Sequence, residues 1–141
     1  MTEIPPGFTP HFRKSPLTDA WEPLYSRRDD AGFAIGLVLT EAHLNGRGLA
    51  HGGLIAALAD NAMGLACVFA SGEGEGGAAG AVTVNLSIDY IASAKPGDWL
   101  SIAARPLRVG GTLAFAEAQA LVGDTLIARA TGVFRMIAKN G

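Results

Sequence analysis

The run from His51 to Ala70 limits what this chain can fold into. It begins His51-Gly52-Gly53 and continues almost without polar residues to Ala70, broken at its centre by Asp60-Asn61. Drawn as a helix, it carries apolar side chains on every side: Leu54, Ile55, Leu58, Ala59, Ala62, Leu65, Ala66 and Phe69. A helix that is apolar all round must be buried by the rest of the chain. At about 1.5 Å per residue it is roughly 25–30 Å long, about the width of a small domain. Alanine and leucine favour it, whereas Gly64 and Asp60 do not. Aspartate is almost never fully buried without a partner, and buried carboxylates concentrate at functional sites. Asp60 is therefore expected to be functional rather than incidental to a core. A bilayer span needs a similar length, but Asp60-Asn61 would be costly in lipid, so no membrane partner is expected.

The remaining sequence must supply the cover. At 141 residues it is one ordinary domain, 49% hydrophobic and 17% charged, enough to build a core. A net charge of −2 and a pI near 5.8 leave no basic footprint for nucleic acid. Cys67 is the only cysteine, so an intrachain disulfide is impossible; inside the apolar run it reads as a small core residue. The N-terminus lacks a basic region followed by an apolar stretch, and the expected location is the cytoplasm. His11, His43 and His51 are the only histidines. None is spaced like a helical ligand pair, so neither a metal nor a cofactor is expected.

Residues 1–30 contain five prolines and end in Arg27-Arg28-Asp29-Asp30. They read as an irregular or short-helical lead whose aromatics pack on the body, and residues 31–141 read as the domain proper. Phe33–Thr40 is a β-like run. His43–Ala50, with Asn45, Gly46 and Gly48, is a loop delivering the chain to His51. Residues 71–80 form a Gly-rich flexible connection and a helix stop. In Ala81–Ile91 the even positions are apolar and the odd ones polar, which predicts a strand with one buried face. Further strands are read at Trp99–Val109, Thr112–Val122 and Thr125–Ala138. Pro106 suggests an edge position or a bulge, and the alanines at 114, 116, 118 and 120 offer the helix a close approach. One strand, a long helix and four consecutive strands give an α+β fold, an antiparallel sheet wrapped around a central helix. Its sheet hardly covers so long a helix; pairing two copies edge to edge would also remove unpaired edges.

The pattern Asn45-(x5)-His51-Gly52-Gly53-(x6)-Asp60-(x3)-Gly64 resembles the signature of PaaI-like hotdog acyl-CoA thioesterases. Val82–Tyr90, Ala94-Lys95-Pro96-Gly97-Asp98 and Gly110–Phe115 resemble the same branch, so the likeness covers about residues 33–138. It implies the hotdog fold, an acyl-CoA substrate with a small aryl or a medium to long acyl group, and four catalytic positions. Gly52 matches the backbone N–H that polarises the thioester carbonyl. Asn45 matches a residue positioning the thioester or the water. Asp60 matches the general base or nucleophile, and Thr83 matches a hydroxyl that helps hold the water. The chemistry suits them: a helix N-terminus offers free N–H groups and a partial positive charge to an oxyanion, and glycine permits close approach. His51 and Gly53, at that helix start, are candidates for substrate contact, with His51 expected chiefly to hold the loop by hydrogen bonds. Arg47, Lys95, Arg105 and Arg108 are candidates for the coenzyme A phosphates, although each also reads as a surface cation. Gly110 is a candidate for letting the pantetheine pass, with a hairpin bend as its simpler reading.

Asp60 lies eight residues beyond Gly52, about 12 Å along a helix. Reacting groups need about 3–3.5 Å, so one chain cannot apply both to one carbon. The expectation is a homodimer with shared sites, assembled further into a homotetramer whose arrangement the sequence leaves open. A non-catalytic acyl-CoA-binding or regulatory protein on the same fold is the alternative. A dehydratase or hydratase would pair histidine with an acidic residue, a constellation not found here.

Overall fold

The computed structural model describes residues 2–72 and 77–139. Its elements are β1 (Thr9–Pro10), α1 (Pro16–Asp19), β2 (Tyr25–Asp29), β3 (Gly32–Val38), a 3-10 turn (Glu41–His43), α2 (Gly52–Ala70), β4 (Ala78–Tyr90), β5 (Trp99–Val109), β6 (Leu113–Val122) and β7 (Thr125–Ala138). The strands form one antiparallel sheet in the order β1-β2-β3-β5-β6-β7-β4, with α2 packed on it. This is the expected wrapped helix. The Gly-rich connection is described only in part; Glu73 to Gly76 lie outside the described residues.

The core sits between α2 and the sheet. Leu58, Met63 and Cys67 from the helix meet Leu37, Leu100, Ile102 and Phe134 from the strands, all nearly inaccessible. The β6 alanines 114, 116, 118 and 120 are buried, so small side chains floor the approach of the helix. Glycine serves that close packing too: a Cβ on Gly132 would sit 2.7 Å from the Phe134 ring and 3.0 Å from Met63. Pro106 lies in an interior strand and is accommodated by a break in register between Pro106 and Arg108, so its bulge reading applies and its edge reading does not.

Three expectations are corrected. First, α2 is not buried all round. Leu54, Ile55, Leu58 and Ala62 face the sheet, while Ala57, Asp60, Asn61, Gly64 and Val68 stay half-open because one sheet covers one side of a cylinder. Second, the lead carries a short helix but also β1 and β2. Residues 25–29 pair in register with β3, from Tyr25↔Gly36 to Asp29↔Gly32, so tertiary pairing overrides a weak local β signal. Third, the even positions of β4 do not share one buried face. The register slips between Thr83 and Asn85, leaving Val84 as an extra residue. A one-residue slip exchanges the faces of a strand. Val82 and Val84 are exposed, Ala81 and Thr83 border the open side of α2, and after the bulge Leu86 and Ile88 pack on the core.

Candidate active site

The start of α2 is built by its cap. His51 has extended backbone (φ −69°, ψ 133°), and its Nδ1 accepts from the Gly53 N–H at 2.8 Å. It thus serves the structural role expected of it. With Gly53 satisfied by the cap, the Gly52 N–H has no acceptor among the described residues. It points from a helix end whose dipole favours negative charge. The Gly52 carbonyl accepts from the Tyr90 hydroxyl at 2.6 Å. Tyr90 also lies against Gly52, where a Cβ would come within 3.1 Å of its ring. Partial burial raises the Tyr90 phenol above its ordinary pKa, keeping it a donor. Sequence reasoning placed Tyr90 only on a strand face; the available signal was an aromatic with a polar tip at the strand end.

Asn45 belongs to the loop that enters α2. Its Oδ1 accepts from the backbone N–H groups of Arg47 (2.8 Å) and Leu49 (3.2 Å), closing the loop. The side-chain carbonyl is therefore occupied by the loop's own backbone. Arg47 sits exposed in the same loop.

Asp60 is half-buried two turns into α2, and its Oδ1 accepts from the Thr83 hydroxyl at 2.5 Å. The Val84 bulge turns Thr83 inward for this contact. The pair occupies an open cleft beside Asn61 and Gly64. The other carboxylate oxygen, without a donor among the described residues, can accept a proton from water. Gly64 needs no special geometry here, since an added Cβ would meet Phe134 at an ordinary 3.5 Å.

The structure brings Asp60 and Thr83 together, and gathers His51, Gly52, Gly53 and the Asn45 loop at the helix start. It does not bring Arg105, Arg108 or Gly110 to either group within one chain. Arg105 is bound to Glu117 at 2.7–2.8 Å beside Gly32 and Phe33. Arg108 lies exposed farther along β5. Gly110 donates to the Leu113 carbonyl at 2.8 Å, close to Ala70 and Ser71 at the opposite end of α2. In one chain, therefore, the Gly52 N–H and the Asp60–Thr83 pair are two separate groups on one helix.

Comparison with known proteins gives the family. A protein of Pseudomonas aeruginosa named Putative esterase PA0474 is 39% identical over 137 residues, covering 96% of this chain and 99% of its own length. Human acyl-coenzyme A thioesterase 13 is 44% identical over 77 residues, 53% of this chain, and the match spans half of that protein. A solved Streptococcus mutans structure bound to acetyl CoA superposes with a TM-score of 0.73 at 27% identity, covering 86% of this chain and 94% of that one. Residues 47–128 match the family model described as the thioesterase superfamily. With the family match spanning Gly52 to Asp60 and a relative aligned almost end to end, the chain belongs to the thioesterase superfamily and is a thioester hydrolase of the hotdog fold.

Proposed function

We propose that the chain hydrolyses an acyl-CoA to the free acid and coenzyme A, in sites shared by two copies. The observation that carries this reading is that one helix bears both the Gly52 N–H, which has no acceptor among the described residues, and Asp60, paired with Thr83 of β4. The thioester carbonyl accepts from the Gly52 N–H of one protomer. Water held at Asp60 of the partner subunit gives up a proton to that carboxylate as its oxygen bonds to the carbonyl carbon. The tetrahedral intermediate then expels the thiolate, which takes the proton back. Thiolate leaves readily, so no triad is required. The human relative's name and the acetyl CoA in the Streptococcus structure support coenzyme A as the thiol. An apolar acyl group, aryl or medium to long, fits the lining described below. Exposed Val82, Val84 and Tyr90 on the edge strand β4, with Ile91 just beyond its end, support pairing with a second copy.

Asp60→Asn preserves size and hydrogen bonding to Thr83 while removing the base. Its melting temperature is expected to match wild type, and thiol release from acyl-CoAs to fall about 10²–10⁴-fold. Near-normal turnover by the folded variant would sink the mechanism.

A further inference from the structure

Two clefts flank α2 on the side its own sheet leaves open. One, of about 400 Å³, runs from His51 and Gly53 past Leu54 to Ala57, with Leu17 and Trp21 of the lead opposite. The other, of about 270 Å³, contains Asp60 and Thr83, again with Leu17 at its edge. Leu17 and Ala57 border both, so the clefts form one groove along the helix. From Gly53 to Asp60 it covers about 10 Å of helix.

The outer wall of that groove comes from the lead, a part of the chain outside the family match. α1 is a deliberate short structure: Ser15 caps it through the Thr18 N–H, and Pro16 opens it. It presents Leu17, 66% exposed, at the junction of the clefts. Buried His43 fixes the wall. Its Nδ1 accepts from the Thr40 N–H at 2.9 Å, so Nε2 carries the proton and donates to the Trp21 carbonyl at 2.8 Å. The His43 carbonyl in turn accepts from the His51 N–H at 2.9 Å. One histidine therefore ties the lead to the residue that caps α2.

We infer that Leu17 and Trp21 form the outer wall of the acyl pocket and set the size of the acyl group accepted. The inference rests on the thioesterase reading of Gly52 and Asp60. An acyl chain whose carbonyl meets Gly52 starts at the mouth of the larger cleft. Leu17, Trp21, Leu54 and Ala57 offer it hydrocarbon and aromatic surface with no charge, which suits an alkyl or aryl group. Ligand pockets of this kind are mostly apolar, with few polar groups.

The test is a chain-length profile. Leu17→Trp fills the mouth of the groove from an exposed position and is expected to fold normally. It should lower kcat/KM for octanoyl-CoA about tenfold while acetyl-CoA stays within about twofold, the scale on which pockets discriminate methylenes. Leu17→Ala should shift the preference toward longer chains. An unchanged profile in a wild type that does hydrolyse acyl-CoAs overturns the wall and leaves the hydrolase reading intact. An unchanged profile with a weakened dimer assigns the groove to a second copy, which also overturns it. If wild type hydrolyses no acyl-CoA, titration with octanoate decides. Movement of the Trp21 indole N–H resonance, with that of Trp99 fixed, keeps the wall and removes the hydrolase; a fixed Trp21 resonance removes both.

Discussion

At Gly52 the backbone offers an unusually clean way to delete one N–H. The residue occupies the first position of α2, where proline's lack of an N–H costs nothing to the helix. His51 before it already has the extended backbone that proline imposes on its predecessor (ψ 133°). Only the exposed Tyr90 ring must yield by a few tenths of an ångström. Gly52→Pro is therefore expected to fold and dimerise, with thiol release reduced about 10²–10³-fold, as for other lost oxyanion donors. Circular dichroism and a thiol assay check both halves; full activity would mean that another group polarises the carbonyl. Asp60 was legible as the one carboxylate in an apolar helix and His51-Gly52 as the turn that starts it, while the roles given to them came from the family resemblance. The tether from Tyr90 to Gly52 and the occupied carbonyl of Asn45 were not, because both depend on where a distant strand and a loop's own backbone come to rest.

Among elements, the lead was the least legible. Its strands are short and proline-rich, and β2 exists because β3 is there to pair with it. By contrast, β5 and β7 match their sequence-read limits, since long apolar alternation closed by turns leaves little choice. The lead also carries a titratable weak point. His11 is buried against Phe12 and Phe33, and neither ring nitrogen has a hydrogen-bond partner among the described residues. Burial lowers its pKa below the ordinary 6.5, with Glu22 opposing, and Lys14 and Arg13 adding to the decrease. The unfolded chain then binds a proton at higher pH than the folded one. Stability should be full above pH 6.5 and decline as the pH falls through 6.5 toward the lowered folded-state value. His11→Phe, which remains apolar at every pH, should flatten that part of the profile. Melting temperatures at pH 7.5 and 5.5 measure it; equal acid sensitivity in variant and wild type would acquit His11.

For the whole molecule, the decisive relation is that between the Gly52 N–H and the Asp60–Thr83 pair on one helix, proposed to serve two different sites. Asn45→Ala and Asp60→Ala are each expected to be inactive. Unfolded together in equal amounts and refolded, about half of the molecules should be mixed dimers. In each of these, one site joins intact Asn45 from one chain to intact Asp60 from the other. About a quarter of wild-type activity should return. No recovery, with mixed dimers demonstrated by mass spectrometry, would place both groups in one chain's site. That Gly52 and Asp60 stand about 12 Å apart on the same rod has a further meaning for the cell. If the sites are shared as proposed, a lone chain would have folded its core completely and still possess no working site. Activity would rise with the square of expression at low abundance and only linearly once pairing saturates, making the amount synthesised a threshold as well as a dose.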